Sequence, residues 1–156
     1  MDHLNLHNLG NAGCLRRLMA SIYDWLLVIA IMMLLSVPIV ALLDNAIQPG
    51  NSAYRSGLLL IAVAFFTGFW ARGGQTLGMK AWRLQLVKAD GSAVNYQLAL
   101  MRFMYACISA LPAGLGFWWM LWDPNQLSWH DRWTGTTIVL LPKKNKSGHA
   151  TGAPPD

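Results

Sequence analysis

An uninterrupted apolar run near the start of the chain limits its possible folds more than any other feature. From Trp25 to Leu43, nineteen consecutive residues carry no charged side chain. A helix needs about 20 mostly apolar residues to cross the hydrocarbon core of a bilayer. The run is too long for the apolar part of a signal peptide, and no A-x-A cleavage site follows it. We therefore interpret it as a retained membrane anchor.

The composition of the whole chain also favours a membrane protein. Only 12% of the 156 residues are charged and 54% are hydrophobic, whereas an average soluble domain has about 25% charged residues. The seven acidic residues are all Asp. This hydrophobicity argues against intrinsic disorder over most of the chain, and two cysteines are too few for a disulfide-stapled secreted domain.

Charge and hydropathy divide the chain into segments. Three apolar segments stand out, at residues 18–43, 56–71 and 103–122. They predict three parts: a polar N-terminal tail (1–15), a transmembrane domain (16–141) and a basic C-terminal tail (142–156) that we expect to be disordered.

The net charge of +5 bears on topology rather than on nucleic-acid binding, because the basic residues lie beside apolar runs. If segment 103–122 spans the membrane, Lys and Arg divide seven against five between the two sides. If it enters and returns as a hairpin broken near Pro112, they divide eleven against one. Cytoplasmic loops collect Lys and Arg, so the count favours the hairpin with both termini cytoplasmic. We predict no nucleic-acid partner.

Two short segments predict strands, Trp82–Val87 and Thr136–Leu141, which can pair only if they lie on the same face. Asn95 predicts the cap of a helix that begins at Tyr96. The predicted fold is an all-α membrane protein with two transmembrane helices and a third apolar segment that spans or re-enters. A small cytoplasmic layer can contain the short two-stranded β pairing.

An acidic residue interrupts the first apolar segment. Arg17, Ala20 and Asp24 share one helix face. Arg17 and Asp24 are two turns apart, about 10.5 Å, which is too far for a direct bond. Asp24 therefore needs a cationic or hydrogen-bonding partner from another part of the chain. Arg102 is the first candidate and Arg132 the second. The pattern fits an ion or proton site, but for Asp24 taken alone it favours a structural ion pair that holds the first helix to the third.

The run His130-Asp131-Arg132 allows a proton relay or a structural tie between a loop and the helix ends. His3 and His7 are four residues apart but have no further ligands at metal-site spacing, so we predict no metal site. The glycine-rich run 73–78 matches no phosphate-binding motif, and we predict no cofactor. Without a nucleophile and base pair, we expect no enzymatic activity.

Four short motifs together resemble the RDD family of bacterial membrane proteins, over about residues 15 to 140. In order they contain Arg17, Ala20 and Asp24; Thr76, Gly78 and Lys80; Asp90 and Arg102; and His130, Asp131, Gly135 and Thr136. The family is named for one Arg and two Asp, which correspond by position to Arg17, Asp24 and Asp131. A common family form has Gly-Lys where this chain has Gly78-Met79 and then Lys80.

The resemblance implies a small integral protein of the bacterial inner membrane, and transport, including cation/proton exchange, has been suggested for such proteins. We predict a transport-related protein in which Asp24 is the ion or proton group and Arg17, Arg102 and Asp131 set its charge balance. The alternative is a non-catalytic adaptor or assembly protein that binds a partner through its helices and cytoplasmic loops. Besides the bilayer, the expected partner is a second copy or another membrane protein, because one copy has few helices to enclose a path.

Overall fold

Most of the chain is helical in a computed structural model, which describes residues 12–42, 51–111, 114–124 and 127–142. The helices are α1 (Cys14–Leu42), α2 (Ser52–Gly73), α3 (Leu77–Ala81), α4 (Tyr96–Ala110), α5 (Leu115–Trp118) and α6 (Trp129–Thr134). The strands are β1 (Leu84–Lys88) and β2 (Thr136–Leu140). Most of both predicted tails lies outside the described residues.

Helices α1 and α2 contain the first two predicted apolar segments. Among the described residues, they are the two helices that are long and apolar enough to cross a membrane. Asn51 caps the start of α2, because its side-chain oxygen accepts a hydrogen bond from the Tyr54 N–H at 3.1 Å. The helix ends at Gly74, which adopts the left-handed conformation with a φ of 66°.

The third apolar segment is not one continuous helix. The side chain of Asn95 accepts the Leu98 N–H at 2.9 Å, which confirms the predicted cap of α4. Helix α4 ends at Ala110, and α5 then packs back against it, since a Cβ built on Gly116 would lie 2.5 Å from the Cβ of Ser109. The chain thus reverses within this segment, as in the hairpin alternative.

The two predicted strands pair in the antiparallel direction, from Leu84 opposite Leu140 to Lys88 opposite Thr136. This confirms the predicted pairing, although β1 begins two residues later than expected. Because β2 follows α6 directly, the pairing fixes the end of α6 at the sheet, where the Ala89 N–H donates to the carbonyl oxygen of Gly135 at 2.9 Å. The sheet thereby determines where the side chains of α6 lie.

Two apolar clusters form the core. One surrounds β1 and α3, and its buried side chains include Leu84, Leu86 and Met79. The other lies between α1, α2 and α4, and consists of Val28, Ala62, Phe65, Phe66 and Phe103. All buried residues of α1 lie in its first half, so the second half of α1 contacts little of the described chain.

Candidate functional site

Three charged side chains meet in the interior where α1, α4 and α6 converge, and we call them the Asp131 cluster. An Nη1 atom of Arg17 donates to Oδ2 of Asp131 at 2.9 Å, and Nη2 of Arg102 lies 2.5 Å from Oδ1. Asp131 is 1% exposed, Arg102 2% and Arg17 7%. Each carboxylate oxygen therefore faces its own guanidinium group, away from solvent.

The two guanidinium groups also connect this cluster to other elements. Nη2 of Arg17 donates to the carbonyl oxygen of Ile138 in β2 at 3.1 Å. Arg102 donates to the hydroxyl of Thr136, and its guanidinium carbon lies 5.4 Å from the ring centroid of Trp70 in α2. A cation over an indole ring is attracted by the ring's negative face. One buried cluster thus joins α1, α2, α4, α6 and β2.

The cluster contains one more positive than negative charge. Burial and, secondly, the charge of Arg102 lower the pKa of His130 to about 3, so this imidazole is neutral at pH 7. Burial by itself raises the pKa of Asp131, but the charges of Arg102 and Arg17 outweigh it, and the pKa lies below its usual range. The Ser128 N–H also donates to Asp131 at 3.1 Å. Two guanidinium groups therefore share one permanently ionised carboxylate.

The second buried carboxylate, Asp24, lies against the start of α3, and we call Asp24, Thr76 and Gly78 the Asp24 site. The Thr76 hydroxyl donates to Oδ2 of Asp24 at 2.5 Å, and the Gly78 N–H donates to Oδ1 at 2.8 Å. Asp24 is 3% exposed. Both of its oxygens accept hydrogen bonds from neutral donors, and within the described ranges no Lys, Arg or His forms a salt bridge with it.

Close packing of α3 on α1 creates the Asp24 site. A Cβ built on Gly78 would lie 2.3 Å from the carbonyl oxygen of Ala20 and 2.9 Å from Cγ of Asp24. Real Cβ atoms do not approach this closely, so only glycine at position 78 lets the backbone N–H reach the carboxylate. Thr76 is the N-cap of α3 and also accepts the Met79 N–H at 3.2 Å. This explains why glycine and threonine occupy these two positions.

The two charged centres lie on the same helix. Arg17 and Asp24 are seven residues apart on α1, about 10.5 Å along the axis. At that distance and an effective dielectric constant near 20, opposite charges attract by on the order of 1–2 kcal/mol. Arg17 is already paired with Asp131, so its attraction for Asp24 is smaller than this value.

The predicted partners of Asp24 are wrong. Arg102 pairs with Asp131, and Nη2 of Arg132 lies 2.5 Å from Oδ1 of Asp123. The physical reason is that Asp24 is satisfied by the hydroxyl and backbone N–H at the start of α3, which a search for opposite charges overlooks. Arg17 and Asp131, which we treated as separate contributors to charge balance, are in direct contact.

Sequence reasoning also missed two residues that contact the predicted site residues. Asp123 is 6% exposed and accepts the Leu127 N–H at 2.8 Å besides pairing with Arg132, yet its sequence context indicates only a turn. Trp70, at the end of the second apolar segment, places its ring against Arg102. No spacing rule connects these residues, because the contacts depend on the reversal of the chain after α4.

The remaining predicted residues have distinct positions. Gly135 ends α6 in the left-handed conformation with a φ of 58°. Nε2 of His130 lies 3.0 Å from the hydroxyl of Ser128. Lys80 is exposed and forms no salt bridge within the described ranges. Within the described part of the chain, no group of three or more potential metal ligands occurs.

Comparison with known proteins identifies the family. A model described as the RDD family matches residues 11–135, which is most of the 156-residue chain. The match includes Arg17, Asp24 and Asp131. Searches of curated proteins and of solved structures found no match. Together with the two long apolar helices, the family match gives a protein of membrane type. The chain therefore belongs to the RDD family.

Proposed function

We propose that this protein is a transport-related, multi-pass subunit of the bacterial inner membrane, in which Asp24 binds and releases a proton. The observation that carries the proposal is that Asp24 is buried on an apolar helix and has only neutral hydrogen-bond donors. A buried ionised carboxylate without an opposite charge is costly. Binding a cation or a proton reduces that cost, and intramembrane carboxylates of this kind mark ion and proton pathways in transporters.

A proton suits the site better than a metal ion. The Gly78 N–H points at Oδ1 of Asp24, so its positive end occupies the direction from which a metal ion would approach. A metal ion would also need several oxygen ligands, and among the described residues Asp24 is the one carboxylate in the Asp24 site. A proton needs only one carboxylate oxygen, because the Thr76 hydroxyl at Oδ2 can rotate from donor to acceptor.

The Asp131 cluster sets the charge balance in this proposal. With Asp24 ionised, the charges of Arg17, Arg102, Asp131 and Asp24 sum to zero; with Asp24 protonated, they sum to one positive charge. The attraction estimated above is moderate, which is what a site that alternates between two protonation states requires.

The proposed orientation places the sheet, α3 and both termini in the cytoplasm. Residues 72–102 carry five of the twelve Lys and Arg residues, as expected for a cytoplasmic connection. The described part of one copy contains two long apolar helices, and two helices cannot enclose a path for ions. We therefore propose that a second copy, or another membrane protein, completes the path.

The test is proton movement in proteoliposomes that contain the purified protein, with a pH-sensitive dye inside and a sodium or potassium gradient across the membrane. We expect flux from the wild type and none from Asp24→Asn. Asp90→Asn is the matched control, because Asp90 lies in an exposed turn and undergoes the same chemical change. Size-exclusion profiles and thermal unfolding establish that each variant is folded.

Two outcomes would contradict this role for Asp24. One is equal flux from the wild type and a folded Asp24→Asn variant. The other is no flux from folded wild type under either gradient. The absence of flux from folded wild type would favour the alternative function, a non-catalytic membrane adaptor.

That alternative, a non-catalytic membrane adaptor, is favoured by the exposed second half of α1. Met33, Leu34 and Leu42 are 63%, 74% and 84% exposed in the single chain. Such a surface can contact lipid or the helix of a partner. A photo-crosslinking residue at Leu34 distinguishes these environments in cells: a discrete larger adduct indicates a protein partner, and its absence indicates lipid.

A further inference from the structure

A partly open groove of about 280 Å³ lies beside the C-terminal half of α2. Its apolar part is formed by Ala64, Gly68 and Phe69, and its polar part by Arg72, Gln75 and Lys80. Ala64, Gly68 and Arg72 recur every four residues and therefore share one face of the helix. The groove thus changes from apolar to cationic along the axis of a candidate membrane span.

The cationic end of this groove is not neutralised. Arg72 and Lys80 are both exposed, and neither forms a salt bridge within the part of the chain that the structure describes. Gln75 is held at the rim, since its side-chain nitrogen donates to the carbonyl oxygen of Leu84 at 2.7 Å. Two positive charges and a fixed amide thus border one end of an apolar surface.

The apolar end of the groove is open. A Cβ built on Gly68 or Gly73 would meet no atom within 4 Å. Glycine in the middle of a helix costs about 0.5–1 kcal/mol relative to alanine, and no neighbouring atom requires it here. The small residues at positions 64 and 68 therefore leave a shallow channel in the side of α2.

We propose that this groove binds an anionic phospholipid, with the phosphate between Arg72 and Lys80 and the first part of an acyl chain along Ala64 and Gly68. A molecule that fills the groove must have an apolar part along the helix and an anionic group at the cationic end of the groove. A phospholipid has both, an acyl chain and a phosphate. Cations immediately beside a membrane span attract anionic lipids. The proposal requires that α2 crosses the membrane, but it does not depend on proton exchange at Asp24.

The test uses the full chain purified in detergent and native mass spectrometry with phosphatidylglycerol and phosphatidylcholine at equal concentrations. We expect preferential retention of phosphatidylglycerol by the wild type. Arg72→Gln and Lys80→Gln should each lower that retention about fivefold, which corresponds to one cation at a membrane surface. Arg55→Gln removes the same charge from the other end of α2 and should leave retention unchanged.

A second variant separates lipid binding from simple anion binding. Gly68→Leu places a side chain in the open part of the groove and should lower retention of phosphatidylglycerol without any change in charge. Excess inorganic phosphate should leave retention unchanged. Equal retention of the two lipids, displacement by phosphate, or an equal loss in Arg55→Gln would overturn the proposal. Thermal unfolding shows whether each variant is folded, and flux through Asp24 is measured separately.

Discussion

The two buried carboxylates of this protein have opposite environments. Asp131 contacts two guanidinium groups, whereas Asp24 contacts a hydroxyl and a backbone N–H. Both are almost completely shielded from solvent, so burial does not distinguish them. The difference lies in the charge of the partners. Asp131 is held ionised and connects helices, while protonation of Asp24 breaks no salt bridge among the described residues.

This contrast gives different roles to the three residues for which the family is named. Arg17 and Asp131 form one structural contact although they are 114 residues apart. Asp24, on the same helix as Arg17, belongs to a separate site. A variant that breaks the Asp131 cluster should therefore affect folding first, and a variant at Asp24 should affect function first.

The largest expected effect comes from removing a guanidinium group of the cluster. Arg102→Gln loses the contacts with Asp131, Thr136 and Trp70. Removing one partner of a buried ion pair costs about 3–5 kcal/mol, so we expect a large fall in the free energy of unfolding, measured by denaturant titration in detergent. Arg55→Gln is the matched control. Arg55 is exposed and forms no salt bridge among the described residues, so its loss should change the free energy of unfolding by about 0.5 kcal/mol or less. Similar losses in both variants would contradict the structural role of the cluster.

The next effect tests the close packing that creates the Asp24 site. Gly78→Ala places a Cβ against the carbonyl oxygen of Ala20 and should cost about 1–3 kcal/mol, because α3 must move. The same substitution at Gly68 meets no atom within 4 Å and should stabilise α2 by up to about 1 kcal/mol. Opposite signs in thermal unfolding support the packing, whereas a harmless Gly78→Ala would contradict it.

Acid should weaken the Asp131 cluster through His130. Its pKa is lowered to about 3 in the folded protein, against an ordinary value of 6.5. Between these values, the unfolded chain binds a proton that the folded one does not, so stability falls as pH falls, by at most about 1.4 kcal/mol per pH unit. Melting temperatures from pH 7 to pH 4 measure this. His130→Gln should flatten the slope, and an unchanged slope would place the acid-sensitive group elsewhere.

The smallest expected effect concerns the hydroxyl of the Asp24 site. Thr76→Val removes the donor to Asp24 and the acceptor of the Met79 N–H, and should cost about 1–2 kcal/mol. Thr76→Ser retains the hydroxyl and should remain close to the wild type in thermal unfolding. If the serine variant is as unstable as the valine variant, the methyl group matters more than the hydrogen bonds.

Much of the fold could be predicted from local sequence signals. The two long apolar runs predicted α1 and α2, Asn95 predicted the start of α4, and β-branched residues predicted β2. These signals depend on neighbours in sequence, so a single chain reveals them. For the third apolar segment, the sequence left two alternatives open, a kinked span and a hairpin. Pro112 and the glycines that follow it are compatible with both.

The candidate site was less predictable, although Arg17, Asp24 and Asp131 were selected from the sequence and do lie at its two buried centres. Charge alone suggested that Asp24 pairs with Arg102, because it gives no weight to the backbone N–H groups at the start of a five-residue helix. One actual partner of Asp24 is the backbone N–H of Gly78, and a search for charged side chains does not consider backbone groups. The pairing of Arg17 with Asp131 depends on where α6 returns, which follows from the pairing of β1 with β2.

The free energy of unfolding of Asp24→Asn beside that of Asp131→Asn tests the distinction between the two carboxylates. In Asp24→Asn, the amide oxygen can still accept the Gly78 N–H and the amide nitrogen can donate to Thr76, so the cost should be about 1 kcal/mol. Asp131→Asn leaves two buried guanidinium groups without a counter-charge and should cost at least about 3 kcal/mol. Equal costs, or a larger cost for Asp24→Asn, would show that Asp24 is the structural carboxylate and contradict this interpretation.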